Sequence, residues 1–212
     1  NPDYEAYSFD CNGSFTSGGS VIHCYNNKRH GTESLSDSFA NSCNASYASI
    51  GLSLDANQFE TLCEGLLFNK DLPVKFESSK SSFALSGDAG DSIRMETAIG
   101  QGKTLVTPMH MAMIASTIAN DGVLMTPYVV DHTENYEGIE VDRNEPVEYG
   151  QIISEQDTGV LQSFMEQVVQ EGTGTKLKGR SYTAAGKTGT AEFSTSSDSA
   201  HSWFVGYSDR ED

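Results

Sequence analysis

The chain has 212 residues, 37% apolar and 20% charged, a composition that suits one globular domain with a substantial core. Its 13 basic residues against 30 acidic ones leave a formal net charge of −17, which argues against nucleic acid and anionic lipid as partners, since both would be repelled. No run approaches the roughly 18 consecutive apolar residues of a membrane span, and the opening "NPDYEAYSFD" lacks the basic-then-apolar order of a secretory leader.

In chain order, residues 1–31 read as short strands and turns broken by glycine and serine clusters. From Thr32 the period turns helical: "TESLSDSFANS" sets Leu35 and Phe39 on one face, and the stretch after Ser42 spaces Tyr47, Ile50 and Leu54 compatibly with a helix. "DANQFETLCEGLLF" predicts a helix capped by Asp55, with Phe59, Leu62, Cys63, Leu66 and Leu67 on its apolar side. Residues 69–104, rich in serine, glycine and charge, read as irregular. "TPMHMAMIASTIANDG" predicts a helix with Thr107 as cap and Pro108 at its first position, ending by Gly122, its Met and Ile stripe serving as core. The acids of residues 134–150 read as a solvated surface. "SEQDTGVLQSFMEQVVQEG" starts on the capping pattern Ser154-x-x-Asp157 and carries Val160, Leu161, Phe164 and Val168 on one side. Two strand-like runs follow, "SYTAAGKTGTAEF" and "SWFVGYS", separated by "STSSDSAH", which predicts a hairpin. This order fits an α+β fold in which helices pack on an antiparallel sheet drawn from distant parts of the chain.

The four cysteines, Cys11, Cys24, Cys43 and Cys63, form no C-x-x-C pair and have no histidine at zinc spacing, so no metal site is expected. Cys11 and Cys24 flank the turn-rich "NGSFTSGGSVIH", and a hairpin there would bring them together, as a disulfide or as buried free thiols. The histidines are scattered. His30, His110 and His201 suit surface or structural roles.

Two Gly-Lys-Thr tripeptides, at Gly102 and Gly186, invite a phosphate-loop reading. The first glycine of that loop would fall at Thr97 and Ser181, so neither segment fits. What Lys187-Thr188-Gly189-Thr190 does offer is a small-sided strand whose backbone an extended chain could approach, with an ammonium and two hydroxyls suited to a carboxylate. An ordinary hairpin strand with an exposed lysine fits the tetrapeptide equally well. A second element, Ser42-Cys43-Asn44, stands at a helix junction. Its hydroxyl can both accept and pass a proton and its amide can hold a carbonyl, although Ser and Asn also serve there as plain caps.

Together the two elements are more specific. S-C-N followed far downstream by K-T-G-T resembles two of the three motifs of penicillin-binding proteins and class A β-lactamases. "HGTESLSDSFANSCNASYASIG", "AIGQGKTLVTPMHMAMIASTIANDGVLMTPYVV" and "AAGKTGTAEF" with "HSWFVGYSD" resemble the transpeptidase domain of class B penicillin-binding proteins, across most of residues 11–208. The resemblance implies a penicillin-binding/β-lactamase-like transpeptidase fold and a bacterial, extracytoplasmic peptidoglycan D,D-transpeptidase with no cofactor or metal. Its partners would be stem peptides and β-lactam antibiotics, and the parent would be membrane-anchored. Carried over, Ser42 would relay a proton to the leaving nitrogen and Asn44 would hold the peptide's amide carbonyl. Lys187 would set the field around Ser42, Thr188 and Thr190 would bind the terminal carboxylate, Gly189 would give the substrate backbone room, and the Thr190 N–H would form half of an oxyanion hole.

One departure is large: no lysine has a serine three residues before it, Ala184 standing there for Lys187 and Thr175 for Lys178. The nucleophile of the family's S-x-x-K motif is therefore missing. The expectation is a partial transpeptidase domain over residues 1–212, incomplete at both ends and inactive alone. The alternatives are a β-lactamase or β-lactam sensor, or a non-catalytic interaction module of the same fold.

Overall fold

The structure, a computed structural model, describes residues 4–192 and 200–210. The first strands are β1 (Phe9–Cys11), β2 (Ser14–Ser17), β3 (Ser20–His23) and β4 (Gly31–Glu33). β2 and β3 form a tight hairpin over Gly18 and Gly19, whose φ of 56° and 81° only glycine adopts freely. β1 pairs antiparallel with β4. As the turn-rich sequence implied, the hairpin brings Cys11 and Cys24 together, with Sγ atoms 3.7 Å apart.

Three helices begin where Asp55, Thr107 and Ser154 predicted them. α1 (Leu35–Ala40) starts on a reciprocal capping box between Ser34 and Asp37. α2 (Asn44–Ser53) follows after a short turn, and α3 (Ala56–Gly65) is capped by Asp55, which accepts from the Gln58 N–H. The segment read as irregular contains α4 (Asp91–Ala98). Its cap is Gly90, which offers no side chain, and its fully buried apolar residue is Met95 while Ile93 is exposed, so neither a start signal nor an apolar stripe marked it. α2 and α4 cross closely at Gly51, where an added Cβ would meet the Ala98 methyl at 2.4 Å. α5 (Pro108–Ala119) uses Thr107 as its cap and Pro108 as its first residue.

After α5 come β5 (Val123–Met125), β6 (His132–Glu134), β7 (Glu140–Arg143) and β8 (Glu148–Gln151). α6 (Glu155–Gln170), started by Ser154 with Asp157, runs to β9 (Ala184–Glu192), which pairs antiparallel with β10 (Ala200–Ser208). That pairing is the predicted one; most of the intervening "STSSDSAH" lies outside the described residues. The anticipated sheet is subdivided: among the described residues the strands form five separate antiparallel pairs, β5 with β8 and β6 with β7 completing the set.

The core is correspondingly divided. Ile118 of α5, Met165 of α6 and Ala185 of β9 pack with Phe39, Leu161 and Tyr207, which locks α1, α5, α6 and the β9–β10 pair into one unit. Cys63 of α3 packs with Phe68, Phe83 and Leu85, while Leu67 joins Leu72, Met113 and Leu124 in a neighbouring cluster. Leu62, expected on the buried face of α3, is 59% exposed, because the helix ends at Gly65 and buries only a narrow strip through Ala56 and Cys63. His110 is structural: it is buried and its Nε2 pairs with the Leu66 carbonyl at 2.7 Å. Among the described residues no helix is long and apolar enough to cross a membrane.

Candidate active site

The site forms where the end of α1 meets β9. α1 closes with a Schellman arrangement: the Ser42 N–H donates to the Phe39 carbonyl at 3.3 Å and the Cys43 N–H donates to the Ser38 carbonyl at 2.9 Å. This turn needs a left-handed residue after Asn41, and Ser42 occupies it with φ of 55°. Glycine would adopt that conformation without cost. A serine in its place presents a hydroxyl at a sharply turned corner, a form of strain found at functional positions.

Lys187 meets that hydroxyl. Its ammonium donates to Ser42 Oγ at 2.5 Å and to the Thr188 carbonyl at 2.8 Å, and lies 5.6 Å from the centroid of the Phe39 ring. Burial pushes the amine down to about 8, because it strips water from the charged form. A lysine so placed can exchange a proton with a hydroxyl near neutral pH, which a fully solvated lysine does poorly.

The other expected residues have partners of their own. Asn44, at the first turn of α2, donates one amide N–H to the His23 carbonyl at 3.0 Å, which fixes the amide's orientation and leaves its second N–H for another acceptor. The Thr188 hydroxyl shares a hydrogen bond with the Thr173 hydroxyl at 2.5 Å. The Thr190 carbonyl accepts from Gln101 Nε2 at 3.1 Å, tying the Gly-Gln-Gly turn to β9. Gly189 is exposed, and among the described residues β9 has β10 on one side and no strand on the other. Such an edge can accept an extended peptide.

Phe39, Gln101 and Thr173 are contributors that motif spacing did not reveal. Thr173 sits in a loop pressed against α1: its N–H donates to the Ala40 carbonyl at 3.0 Å, and a Cβ on the preceding Gly172 would come within 2.2 Å of that oxygen. The small-residue run around Thr173 was the available signal, since only glycine lets two backbones approach so closely. The cavity of about 420 Å³ between the end of α6 and the start of β9, lined by residues such as Leu177, Tyr182 and Asp209, does not include Ser42 or Lys187.

Residues 5–212 match the penicillin binding protein transpeptidase domain family. The chain belongs to this family. It is a class B transpeptidase domain in its relatives: it is 29% identical over 187 residues to the peptidoglycan D,D-transpeptidase PbpA of Mycolicibacterium smegmatis, covering 85% of this chain and 37% of that protein. It is 27% identical over 179 residues to penicillin-binding protein 3 of Bacillus subtilis, covering 82% of this chain and 26% of that protein. In three dimensions it superposes on the D,D-transpeptidase domain of a peptidoglycan glycosyltransferase from Eggerthella lenta with a TM-score of 0.85 at 28% identity, covering 98% of this chain and 53% of that one. The same fold, at 21% identity and a TM-score of 0.83, is found in penicillin-binding protein A from M. tuberculosis, solved as an imipenem acyl-enzyme complex and covering 96% of this chain and 47% of that one. The transpeptidase chain thus spans about a quarter to a half of the length of these proteins.

The fold also assembles something that linear spacing concealed. No metal site was expected, because no cysteine pair or histidine had zinc spacing. Folding nevertheless gathers Cys11, Cys24, His30 and Cys43 with their ligand atoms all within 4.8 Å of one another, a grouping that spacing along the chain does not report.

Proposed function

We propose that this transpeptidase chain is part of an extracytoplasmic, membrane-anchored peptidoglycan D,D-transpeptidase that crosslinks stem peptides through a serine acyl-enzyme and is acylated by β-lactams. The observation that carries the reading is the contact of the Lys187 ammonium with Ser42 Oγ at 2.5 Å, joining S-C-N to K-T-G across one corner of the fold. In this reading Ser42 receives a proton and passes it to the departing amine nitrogen, and Lys187, depressed by burial, feeds and stabilises that relay. Asn44 holds the amide carbonyl of the bound peptide with its remaining N–H. Thr188 and Thr190 receive the terminal carboxylate, Gly189 leaves the β9 edge open to the peptide backbone, and the Thr190 N–H stabilises the developing oxyanion.

The attacking serine is not among the residues of this sequence in its usual S-x-x-K setting, so the full-length protein would supply it. The catalytic sequence is then ordinary acyl transfer: the serine oxygen bonds to the penultimate D-alanine carbonyl carbon, the terminal D-alanine leaves as the free amine, and a second amine later displaces the serine. The test is covalent labelling of the full-length protein by a fluorescent penicillin. Labelling that is lost when Lys187 is replaced supports the reading, and labelling at the unaltered rate would refute it.

A further inference from the structure

We propose that Cys11, Cys24, His30 and Cys43 hold a structural zinc ion directly behind the S-C-N turn. The four ligand atoms come from separate elements: Cys11 ends β1, Cys24 follows β3, His30 precedes β4, and Cys43 caps α2. The three thiols are buried, and they face one another rather than dispersing into the surrounding core.

Three distances within the cluster match tetrahedral edges, and all four ligand atoms lie within 4.8 Å of one another. Cys24 Sγ lies 3.7 Å from Cys11 Sγ and 3.8 Å from Cys43 Sγ, and Cys11 Sγ lies 3.4 Å from His30 Nδ1. Zinc with bonds of about 2.3 Å to sulfur and about 2.0–2.1 Å to nitrogen places its sulfurs about 3.8 Å apart and sulfur about 3.5 Å from nitrogen. A disulfide needs sulfurs about 2.05 Å apart and would single out one pair. Cys24 instead stands almost equally far from two partners.

The surroundings suit a bound cation. The Ala45 N–H donates to Cys24 Sγ at 3.5 Å, the kind of backbone support that orients a metal-bound thiolate. The buried Glu33 carboxylate has one oxygen held by Asn41 at 2.7 Å, while its other oxygen lies 4.0 Å from His30 Nδ1 with no hydrogen-bond partner among the described residues. This adds negative charge beside the cluster. Binding would balance as one Zn²⁺ replacing three thiol protons, which are released, and taking one lone pair of neutral imidazole. Because Cys43 is the middle residue of S-C-N, anchoring its sulfur would also fix the strained Ser42 turn on one side and the Asn44 end of α2 on the other.

The experiment measures metal rather than activity, so its outcome is independent of the transpeptidase reading. The full-length protein is purified under reducing conditions without added chelator and assayed by elemental analysis, with about one zinc per chain expected. Replacing zinc by Co²⁺ should give the strong visible bands and sulfur-to-metal charge-transfer absorption of a tetrahedral thiolate site. X-ray absorption should fit three sulfurs and one nitrogen. Cys43→Ser or Cys11→Ser should lower zinc affinity at least about tenfold, whereas Cys63→Ser, buried in the separate α3 cluster, should retain the metal. Zinc in far less than stoichiometric amount, an octahedral Co²⁺ spectrum, equal zinc loss in Cys63→Ser, or a disulfide among Cys11, Cys24 and Cys43 in freshly purified protein would each overturn the proposal. The wild-type cobalt spectrum decides the matter even if the cysteine variants fail to fold.

Discussion

Replacing Lys187 by Met tests the electrostatics of the site without reference to substrate. Methionine keeps most of the side chain's length and packing against Phe39 but carries no charge. In the folded protein the lysine's pKa is pushed down to about 8 by burial, against about 10.4 in an unfolded chain. The sign follows from proton counting. Below pH 8 both states are protonated and the folded state bears the whole cost of the buried charge. Between about pH 8 and 10.4 the unfolded chain binds more protons, so stability rises with pH. Linkage over those two values gives a gain of about 2 kcal/mol for wild type relative to Lys187→Met between pH 7 and pH 10. Urea unfolding of both proteins at the two pH values checks it, since titration of every other group cancels in the difference. Parallel pH profiles for the two proteins would mean that Lys187 keeps an ordinary pKa, and the argument from burial would fail.

Ser42→Gly and Ser42→Ala both remove the hydroxyl, but only glycine relaxes the left-handed turn, so Ser42→Gly should be the more stable by about 1 kcal/mol; equal melting temperatures would show that the φ of 55° stores no strain. Both should acylate equally slowly in the full-length protein. The 212-residue chain by itself should form no covalent adduct with penicillin, and an intact mass increased by the mass of the drug would reveal another nucleophile in it. Gly172→Ala would force a Cβ to 2.2 Å from the Ala40 carbonyl oxygen and should destabilise by about 1–3 kcal/mol. Gly65→Ala, which meets open space, should not, and equal thermal shifts for the two would contradict the close approach.

Sequence reading worked where one residue type has one local job. Asp55, Thr107 with Pro108, and Ser154 with Asp157 announced their helices because a capping oxygen acts within three residues of where it stands. The Ser42–Lys187 contact was legible for a different reason: two short motifs resembled a family's motif set, and that resemblance implied that they meet. α4 escaped because Gly90 provides no cap and its exposed Ile93 breaks any apolar stripe. Gln101 escaped because its partner, the Thr190 carbonyl, is distant in sequence and nothing local reports the contact, while around Thr173 only the small-residue run pointed to a close backbone approach. The cysteine–histidine cluster shows the same limit. Its four members come from β1, the end of the β2–β3 hairpin, the approach to β4 and the cap of α2, so only tertiary structure creates their spacing.

The central claim is that Ser42 and Lys187 act as one unit in acylation. The direct measurement is a double-mutant cycle on the second-order rate of penicillin acylation of the full-length protein, comparing wild type, Ser42→Ala, Lys187→Ala and the double variant. Each single change should slow acylation by about 10²–10³. Because both remove the same proton path, the double variant should be little slower than the slower single variant. Losses that multiply independently, or single variants that acylate at the wild-type rate, would contradict a shared role for the two residues.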